Sequence, residues 1–179
     1  THSVNLMEKK LLDWKKTGIL NVPVYDKSLR SGLGDRAKWK IETPDLVILE
    51  GWFLGIKPYS KKDPSLNFLD SCLSKKEINF RKKIQINLYS YLKVWNLLEK
   101  IWHIKPQSFE YMKDWKCKQE EEMFKMKGSS LRDKKLIDFI KMLSNCIPHK
   151  SFDLINSNVL LVINKNRKLI RVSLNNKVI

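Results

Sequence analysis

Glycine is scarce in this sequence, and no glycine opens a phosphate-binding loop. The six glycines stand at positions 18, 32, 34, 51, 55 and 128. None begins a Gly-x-x-x-x-Gly-Lys-Ser/Thr motif, whose backbone N–H groups cradle nucleotide phosphates. The 179 residues are therefore not expected to hold such phosphates well on their own.

Cysteine and long apolar runs are also scarce. The three cysteines, Cys72, Cys117 and Cys146, are widely spaced, which excludes a disulfide framework and a thiol-based metal site. Free thiols suit a reducing compartment, so we expect a cytoplasmic protein. No stretch approaches the roughly 18 apolar residues of a membrane-spanning helix. Because the chain begins at Thr1 and not at Met, we also expect that upstream sequence is missing.

Acidic residues are outnumbered, with 19 Asp and Glu against 35 Lys and Arg, giving a net charge of +16. Such a balance is compatible with a nucleic-acid partner. However, only 6 of the basic residues are arginine and the lysines are scattered, whereas base and phosphate recognition favours arginine's planar fork. We interpret the charge as a solvated basic surface and keep a basic nucleic-acid-binding module as the alternative from another functional class.

Apolar periodicity predicts helices that alternate with strands. Helical spacing covers residues 4–16, 84–102, 108–127 and 132–143. Strand patterns cover residues 22–25, 45–49, 102–105, 159–163 and 169–174, the last two joined by a turn at 164–168. Residues 56–80 are irregular and are interpreted as an insertion or loop region, with one short helical piece around 67–73. The alternation predicts a single α/β domain over residues 1–179, with a mainly parallel sheet flanked by helices.

The run at 45–52, Asp-Leu-Val-Ile-Leu-Glu-Gly-Trp, joins a strand pattern to a carboxylate. A continuous apolar run without alternation predicts a central parallel strand that is covered on both faces. Ligands bind just beyond the carboxyl ends of such strands. Glu50 is therefore a candidate ligand for a metal–nucleotide complex, and Gly51 allows the chain to turn away without a side chain. The alternative is that Glu50 caps a helix or forms a structural salt bridge.

A polar loop after the strand at 22–25 carries a second candidate cluster, formed by Asp26, Lys27, Ser28, Asp35 and Arg36. If both strands are parallel, their carboxyl ends open on one side and this loop shares a cleft with Glu50. Asp26 can accept a proton or a hydrogen bond from a substrate hydroxyl, and Arg36 or Lys27 can pair with a substrate carboxylate or phosphate. The alternative is an Asx-turn at Asp26 and a surface ion pair between Asp35 and Arg36.

A third cluster lies on the charged helix at 115–120, Trp-Lys-Cys-Lys-Gln-Glu. Cations on such a helix can close over phosphates, as they do in enzyme lids. The alternative is an ordinary solvated helix face.

Taken together, these clusters resemble the D-glycerate 3-kinase family, which belongs to the P-loop kinases related to uridine kinase and phosphoribulokinase. Tyr-Asp-Lys-Ser at 25–28, Gly-Asp-Arg at 34–36 and Asp-Leu-Val-Ile-Leu-Glu-Gly-Trp-Phe-Leu-Gly at 45–55 occur in the family's order. Asn-Leu-Tyr at 87–89 with Trp95, then the segments 115–123, 128–139 and 163–167, extend the resemblance over nearly the whole chain.

The resemblance implies a P-loop kinase-like fold and the transfer of a phosphoryl group from ATP, with Mg²⁺, to the 3-hydroxyl of D-glycerate. It implies that Glu50 lies at the catalytic and metal-binding end of the site and that Asp26 is a second catalytic residue. The implied acceptor pocket is lined by Lys27, Ser28, Asp35 and Arg36, and the implied cofactor side is formed by Lys116 and Gly51. The partners implied are a glycerate-like small molecule and ATP. The lack of a long apolar run adds the expectation of no membrane partner, and the oligomeric state stays open.

Three departures from the family pattern bear on activity. In the family, the phosphate loop lies upstream of the point where this chain starts, so we interpret the chain as a C-terminal portion whose N-terminal strand-loop-helix is missing. On that interpretation this chain alone is inactive. Ser3 occupies the Asp position of the family's Gly-Thr-His-Asp motif, and Lys116 replaces an arginine of the lid helix. These departures favour the alternative of a catalytically degenerate kinase-like protein.

Overall fold

The computed structural model describes residues 3–26, 29–30, 34–59, 73–128, 130–148, 150–175 and 177–178. Its elements in chain order are α1 (Val4–Thr17), β1 (Leu20–Asp26), β2 (Asp35–Glu42), α2 (Lys75–Trp95), β3 (Trp102–Pro106), α3 (Glu110–Lys127), α4 (Asp133–Cys146), α5 (Lys150–Asp153), β4 (Val159–Ile163), β5 (Leu169–Leu174) and β6 (Lys177–Val178). They belong to two compact units, Thr1–Leu54 with Ser90–Glu99 and Gly55–Tyr89 with Lys100–Ile179.

The first unit contains α1 and a hairpin made of β1 and β2. Helix α1 ends at Gly18, which has a left-handed φ of 74° and donates its N–H to the Trp14 carbonyl at 2.7 Å. The two strands pair antiparallel from Leu20 opposite Glu42 to Asp26 opposite Asp35. The helix predicted at 4–16 and the strand predicted at 22–25 are therefore confirmed.

Apolar burial in the first unit is small and is supplemented by polar contacts. Leu11 is 8% exposed and Val94 is fully buried. The Trp14 indole donates to the carbonyl of Pro44 at 2.9 Å. Lys93 forms an ion pair with Glu8 at 2.5 Å. These contacts hold α1, the segment after β2 and the last turn of α2 in one unit.

The second unit is built on a four-stranded sheet in the order β3-β4-β5-β6. Strand β3 pairs parallel with β4, and the β4–β5 and β5–β6 pairs are antiparallel. The strands predicted at 102–105, 159–163 and 169–174 are confirmed. The α/β class is also confirmed, with a sheet that is mixed and has one parallel pair among the described strands.

Helix α2 begins with a capping box that the sequence analysis missed. The Ser74 hydroxyl and N–H donate to a carboxylate oxygen of Glu77 at 2.6 and 2.9 Å, and the Glu77 N–H donates back to the Ser74 hydroxyl at 3.4 Å. Residues 75–80 of the predicted irregular region 56–80 are therefore helical. The short helical piece predicted around 67–73 lies, up to position 72, outside the described residues.

The helix predicted at 84–102 ends earlier, at Trp95. After it, the N–H groups of Leu97 and Leu98 donate to carbonyls three residues back, at 3.0 and 3.2 Å. Such short-range bonds tighten and close a helix end. The apolar period continues through Leu98 to Trp102, but Trp102 belongs to β3. Periodicity alone therefore placed the helix end seven residues too late.

The core of the second unit combines apolar burial with capped helix carbonyls. Ile56, Leu88 and Val162 are at most 6% exposed. Buried side chains of α2 reach the C-terminal end of α4: Arg81 Nε donates to the Asn145 carbonyl at 2.5 Å, and Gln85 donates to the Cys146 carbonyl at 3.3 Å. These bonds satisfy carbonyls that have no partner within α4.

The predicted strand at 45–49 is not formed. Leu46 is 72% exposed and Ile48 is 82% exposed, and no described residue pairs with this run as a strand. Its β-branched and aliphatic composition favours a strand, but a strand also needs a neighbour that satisfies its N–H and C=O groups. Within the described parts of the chain, no helix combines the length and hydrophobicity that a bilayer crossing requires.

Candidate active site

The tip of the β1–β2 hairpin brings together three of the residues predicted to bind the substrate. Asp26 ends β1 and Asp35 begins β2, and the two are the last opposed pair of the ladder. Opposed residues of an antiparallel pair have their Cα atoms about 5 Å apart. Arg36 follows directly in β2. Neighbouring positions at one end of a two-stranded ribbon therefore carry two carboxylates and a guanidinium, while Lys27 and Ser28 lie outside the described residues.

Asp35 is held by its own loop. One carboxylate oxygen accepts the Arg36 N–H at 2.8 Å, and the other lies 3.5 Å from Nη1 of Arg30. The predicted alternative of an Asp35–Arg36 ion pair is therefore wrong, because Arg30 supplies the charge partner. Arg30 was not predicted as a site residue. Its position in the polar loop between Asp26 and Asp35 is the one feature of the sequence that could have indicated it.

The hairpin tip requires a glycine at position 34. Gly34 has a φ of 77°, and a Cβ built there would lie 2.2 Å from the hydroxyl oxygen of Tyr25. The Gly34 N–H also donates to the Leu29 carbonyl at 2.9 Å. A glycine is needed both for the left-handed backbone and for the close approach of the tyrosine.

The Arg36 side chain is exposed at this tip. Among the described residues, no carboxylate forms an ion pair with its guanidinium group. A guanidinium in that state can form a bidentate pair with a carboxylate or a phosphate from solution.

The strand that was expected to end at Glu50 is not formed, and the site roles of Glu50 and Gly51 stay predictions. The antiparallel hairpin and the unpaired run at 45–49 remove the parallel-strand argument that put Glu50 in a cleft with Asp26. Glu50 is exposed, and in the described part of the chain no hydrogen bond or ion pair joins it to the hairpin tip. A Cβ at Gly51 would meet only Leu54 Cβ, at 3.8 Å, and its φ is not in the left-handed region. The turn therefore does not itself require glycine there.

Lys116 is anchored within the second unit. Its ammonium forms an ion pair with Glu120, and the side chains are only 14% and 3% exposed. Glu120 also accepts the Leu131 N–H at 2.8 Å. Burial pushes the pKa of Glu120 upward, but the hydrogen bonds from Lys116 and Leu131 and the Lys116 charge prevail and lower it. Glu120 thus links α3 to the segment before α4, and Lys116 is held against Glu120 within α3.

The described residues do not by themselves fit a magnesium–nucleotide complex. No group of three or more His, Cys, Asp or Glu side chains among them is arranged to hold a metal ion. Glu50 would need further ligands from elsewhere. The absence of a glycine-rich phosphate loop from all 179 residues points the same way.

Comparison with known proteins relates this chain to kinases. The chain is 32% identical over 132 residues to the chloroplastic D-glycerate 3-kinase of Arabidopsis thaliana, which covers 68% of this chain and 26% of that enzyme. It is also 26% identical over 157 residues to the uncharacterized kinase mug58 of Schizosaccharomyces pombe, covering 78% of this chain and 53% of that protein. The predicted resemblance to D-glycerate 3-kinases is confirmed.

A solved structure extends the similarity to the fold. The D-glycerate 3-kinase from Cryptococcus neoformans var. grubii superposes with a TM-score of 0.78 at 23% identity, covering 97% of this chain and 67% of that chain. The P-loop kinase-like fold predicted from the motifs is therefore supported by structure as well as sequence. No protein-family model matches the chain. The chain spans about half of the length of the fission-yeast protein and about a quarter of that of the plant enzyme.

Proposed function

We propose that this chain is the C-terminal portion of an ATP-dependent kinase that phosphorylates D-glycerate at its 3-hydroxyl. The observation that carries the proposal is the 32% identity over 132 residues to a protein named D-glycerate 3-kinase. The motifs that carry the resemblance in sequence include the hairpin tip, where Asp26, Asp35 and Arg36 supply charges of both signs. A hydroxy acid carries both a carboxylate and hydroxyl groups, so it needs both kinds of partner.

The hairpin tip is the proposed acceptor site. Arg36 pairs with the glycerate carboxylate through its guanidinium group. Asp26 accepts a hydrogen bond from the reacting hydroxyl and takes its proton as that oxygen attacks phosphorus. Asp35 holds Arg30 beside the site at 3.5 Å. Lys27 and Ser28 complete the proposed acceptor pocket.

The phosphate donor is held mainly by residues outside this chain. ATP, bound with Mg²⁺, supplies the transferred phosphoryl group when present. Glu50 is the one metal ligand that we propose from this chain, and Gly51 and Lys116 stay predictions for the cofactor side. This chain alone is therefore proposed to be inactive, because its 179 residues contain no glycine-rich phosphate loop.

Extending the reading frame upstream tests the proposal. The extended product should contain a Gly-x-x-x-x-Gly-Lys-Ser/Thr loop within one domain's length and should convert D-glycerate and ATP into 3-phosphoglycerate and ADP. This chain alone is the matched control and should show no turnover. An uninterrupted upstream sequence without such a loop, or an extended product that leaves glycerate unphosphorylated, would count against the activity.

A catalytically degenerate kinase-like protein is the second candidate function. The burial of Lys116 against Glu120 favours it, because a lysine held in this way does not present a free lid cation. Ser3, at a position where the family has Asp, also favours it. Calorimetric titration separates the two candidates: a degenerate extended product binds D-glycerate or ATP without turnover, whereas an active kinase turns both over.

A further inference from the structure

The loop at the hairpin tip holds Arg30 in a backbone conformation that arginine seldom adopts. Arg30 has a φ of 54°, in the left-handed region that disfavours most side chains. Across this position, the Gly34 N–H donates to the Leu29 carbonyl at 2.9 Å and closes the loop. A strained residue beside a proposed site indicates a functional role for its side chain.

The Arg30 side chain reaches the Asp35 carboxylate. Nη1 of Arg30 lies 3.5 Å from Oδ2 of Asp35, and Oδ1 of Asp35 accepts the Arg36 N–H at 2.8 Å. Each oxygen of Asp35 therefore has a partner, one a cation and the other a backbone N–H. The side chains of Arg30 and Asp35 are 68% and 49% exposed, so either can be shortened without opening a cavity.

The Arg36 guanidinium is the group that Asp35 would engage if Arg30 were removed. Arg36 follows Asp35 in sequence and is exposed, and among the described residues no carboxylate holds it in an ion pair. Arginine has a long side chain with many rotamers, so its guanidinium can fold back onto a carboxylate one residue away. A guanidinium engaged in this way is lost to a carboxylate from solution, and an Asp35 without its cation also repels that carboxylate.

We infer that Arg30 is a positioning residue of the proposed acceptor site, which engages Asp35 and thereby keeps the Arg36 guanidinium available to the carboxylate of a hydroxy acid. The inference rests on the proposed function. It adds a residue that governs affinity for the anionic acceptor, acts through Asp35 and takes no part in the phosphoryl-transfer step.

Steady-state kinetics of the upstream-extended product with D-glycerate and saturating ATP test the inference. Arg30→Gln should raise KM for D-glycerate about three- to fivefold, within the range that an exposed ion pair supports, and should change kcat less than about twofold. Asp35→Asn keeps an oxygen for the Arg36 N–H but removes the charge that Arg30 engages. Added to Asp35→Asn, Arg30→Gln should therefore change KM less than about twofold.

Lys38→Gln is the matched control, because it removes one positive charge from an exposed position of β2. It should change KM less than about twofold. A KM increase from Arg30→Gln that persists in the Asp35→Asn background would show that Arg30 contacts the acceptor directly, and would overturn the inference. An unchanged KM, or a fall in kcat as large as the rise in KM, would overturn it as well.

The Nε–H resonance of Arg36 in this chain gives a second readout that needs no turnover. Its loss in Arg36→Gln assigns it. Arg30→Gln should shift the resonance because the guanidinium turns to Asp35, and Arg30→Gln combined with Asp35→Asn should not. The expected shift in a protein whose extended product leaves glycerate unphosphorylated refutes the proposed function and leaves the role of Arg30 standing. Phosphorylation with an Arg36 resonance that Arg30→Gln does not move refutes this inference alone.

Discussion

The hairpin tip depends on the absence of a side chain at position 34. A Cβ there would lie 2.2 Å from the Tyr25 hydroxyl oxygen, and the residue has a φ of 77°. Gly34→Ala should lower the free energy of unfolding by about 1–2 kcal/mol, because alanine adds left-handed strain and displaces the tyrosine ring. Urea denaturation at equilibrium measures the change.

Gly18→Ala separates these two causes. Gly18 has a φ of 74°, but a Cβ there would meet nothing within 4 Å. Gly18→Ala should therefore show the effect of backbone strain alone and should lower the free energy of unfolding by less than Gly34→Ala does. In a Tyr25→Ala background, Gly34→Ala and Gly18→Ala should lower the free energy of unfolding by equal amounts. A Gly34→Ala cost that is unaffected by removal of the tyrosine would contradict the close approach.

Glu77 makes the stability of the protein sensitive to acid. Hydrogen bonds from the Ser74 hydroxyl, then from Lys141 and the Ser74 N–H, hold the pKa of Glu77 at about 2, below its usual 4.5. Because the pKa is lower in the folded state, the stabilisation is complete above about pH 4.5 and is lost as the pH falls towards 2. Glu77→Gln should flatten the stability–pH curve across that interval, as measured by urea midpoints.

Glu122→Gln is the control for this pH dependence. Glu122 is exposed on α3, and none of the described hydrogen bonds involves it. Its replacement should leave the acid limb of the curve unchanged. If Glu77→Gln retained the wild-type slope between pH 4.5 and 2, the capping box and the Lys141 contact would not account for acid sensitivity.

At the scale of elements, side chains of helix α3 contact the turn between β4 and β5. The Trp115 indole donates to the Lys165 carbonyl at 2.7 Å, and the Arg167 guanidinium lies 5.2 Å from the Trp115 ring centre. Lys165 also pairs with Asp114 at 2.8 Å. Trp115→Phe keeps a ring but removes the indole N–H, so the free energy of unfolding should fall by about 1 kcal/mol.

Trp102→Phe is the matched control in this chain. Trp102 is 68% exposed, and no hydrogen bond is described for its indole. Its replacement should change the free energy of unfolding by less than about 0.5 kcal/mol. Equal effects of the two substitutions in thermal and urea unfolding would show that the hydrogen bond from Trp115 to the Lys165 carbonyl does not stabilise the position of α3.

Helix ends and turns that depend on contacts between residues close in sequence could be predicted from the sequence. Gly18 and Gly128 end α1 and α3 in left-handed conformations, with φ values of 74° and 69°. Asn164 organises the β4–β5 turn by accepting the N–H groups of Asn166 and Lys168 at 2.9 and 3.0 Å. In each case the deciding contact lies within a few residues, so a single sequence contains it.

Features that depend on distant neighbours could not be predicted in the same way. The run at 45–49 has strand composition, but strand formation requires a partner that composition does not specify. Asp26, Asp35 and Arg36 were expected near one another because one loop carries them, and an antiparallel hairpin produces that proximity. Only a cleft shared with Glu50 was expected from parallel strand ends, and this antiparallel pair does not provide them. The burial of Lys116 depends on Glu120 and on the Leu131 N–H, which α3 alone does not reveal.

At the scale of the whole molecule, the positive charge is distributed and partly neutralised. Ion pairs join Lys15 to Glu99, Lys93 to Glu8 and Lys141 to Glu77. We expect only non-specific binding to duplex DNA at physiological salt, with a Kd of about 10⁻⁴ to 10⁻⁶ M that rises with salt. Fluorescence anisotropy at two salt concentrations measures it. Nanomolar, sequence-selective binding would favour the nucleic-acid module instead.

Under the proposed function, the hairpin tip binds the glycerate carboxylate and residues outside this chain supply the phosphate loop. Arg36→Gln removes the exposed guanidinium, and Lys38→Gln removes a charge two residues further along the same strand, away from the tip. Both positions are exposed, so neither substitution should affect folding beyond about 0.5 kcal/mol.

The most direct measurement is kcat/KM for ATP-dependent phosphorylation of D-glycerate by the extended product and these two variants. We predict that Arg36→Gln lowers kcat/KM by about 10- to 100-fold, the loss expected for a charged hydrogen-bonding partner, and that Lys38→Gln changes it less than about twofold. Equal kcat/KM values for Arg36→Gln and the wild-type protein, or no turnover of D-glycerate by the wild-type extended product, would contradict the account.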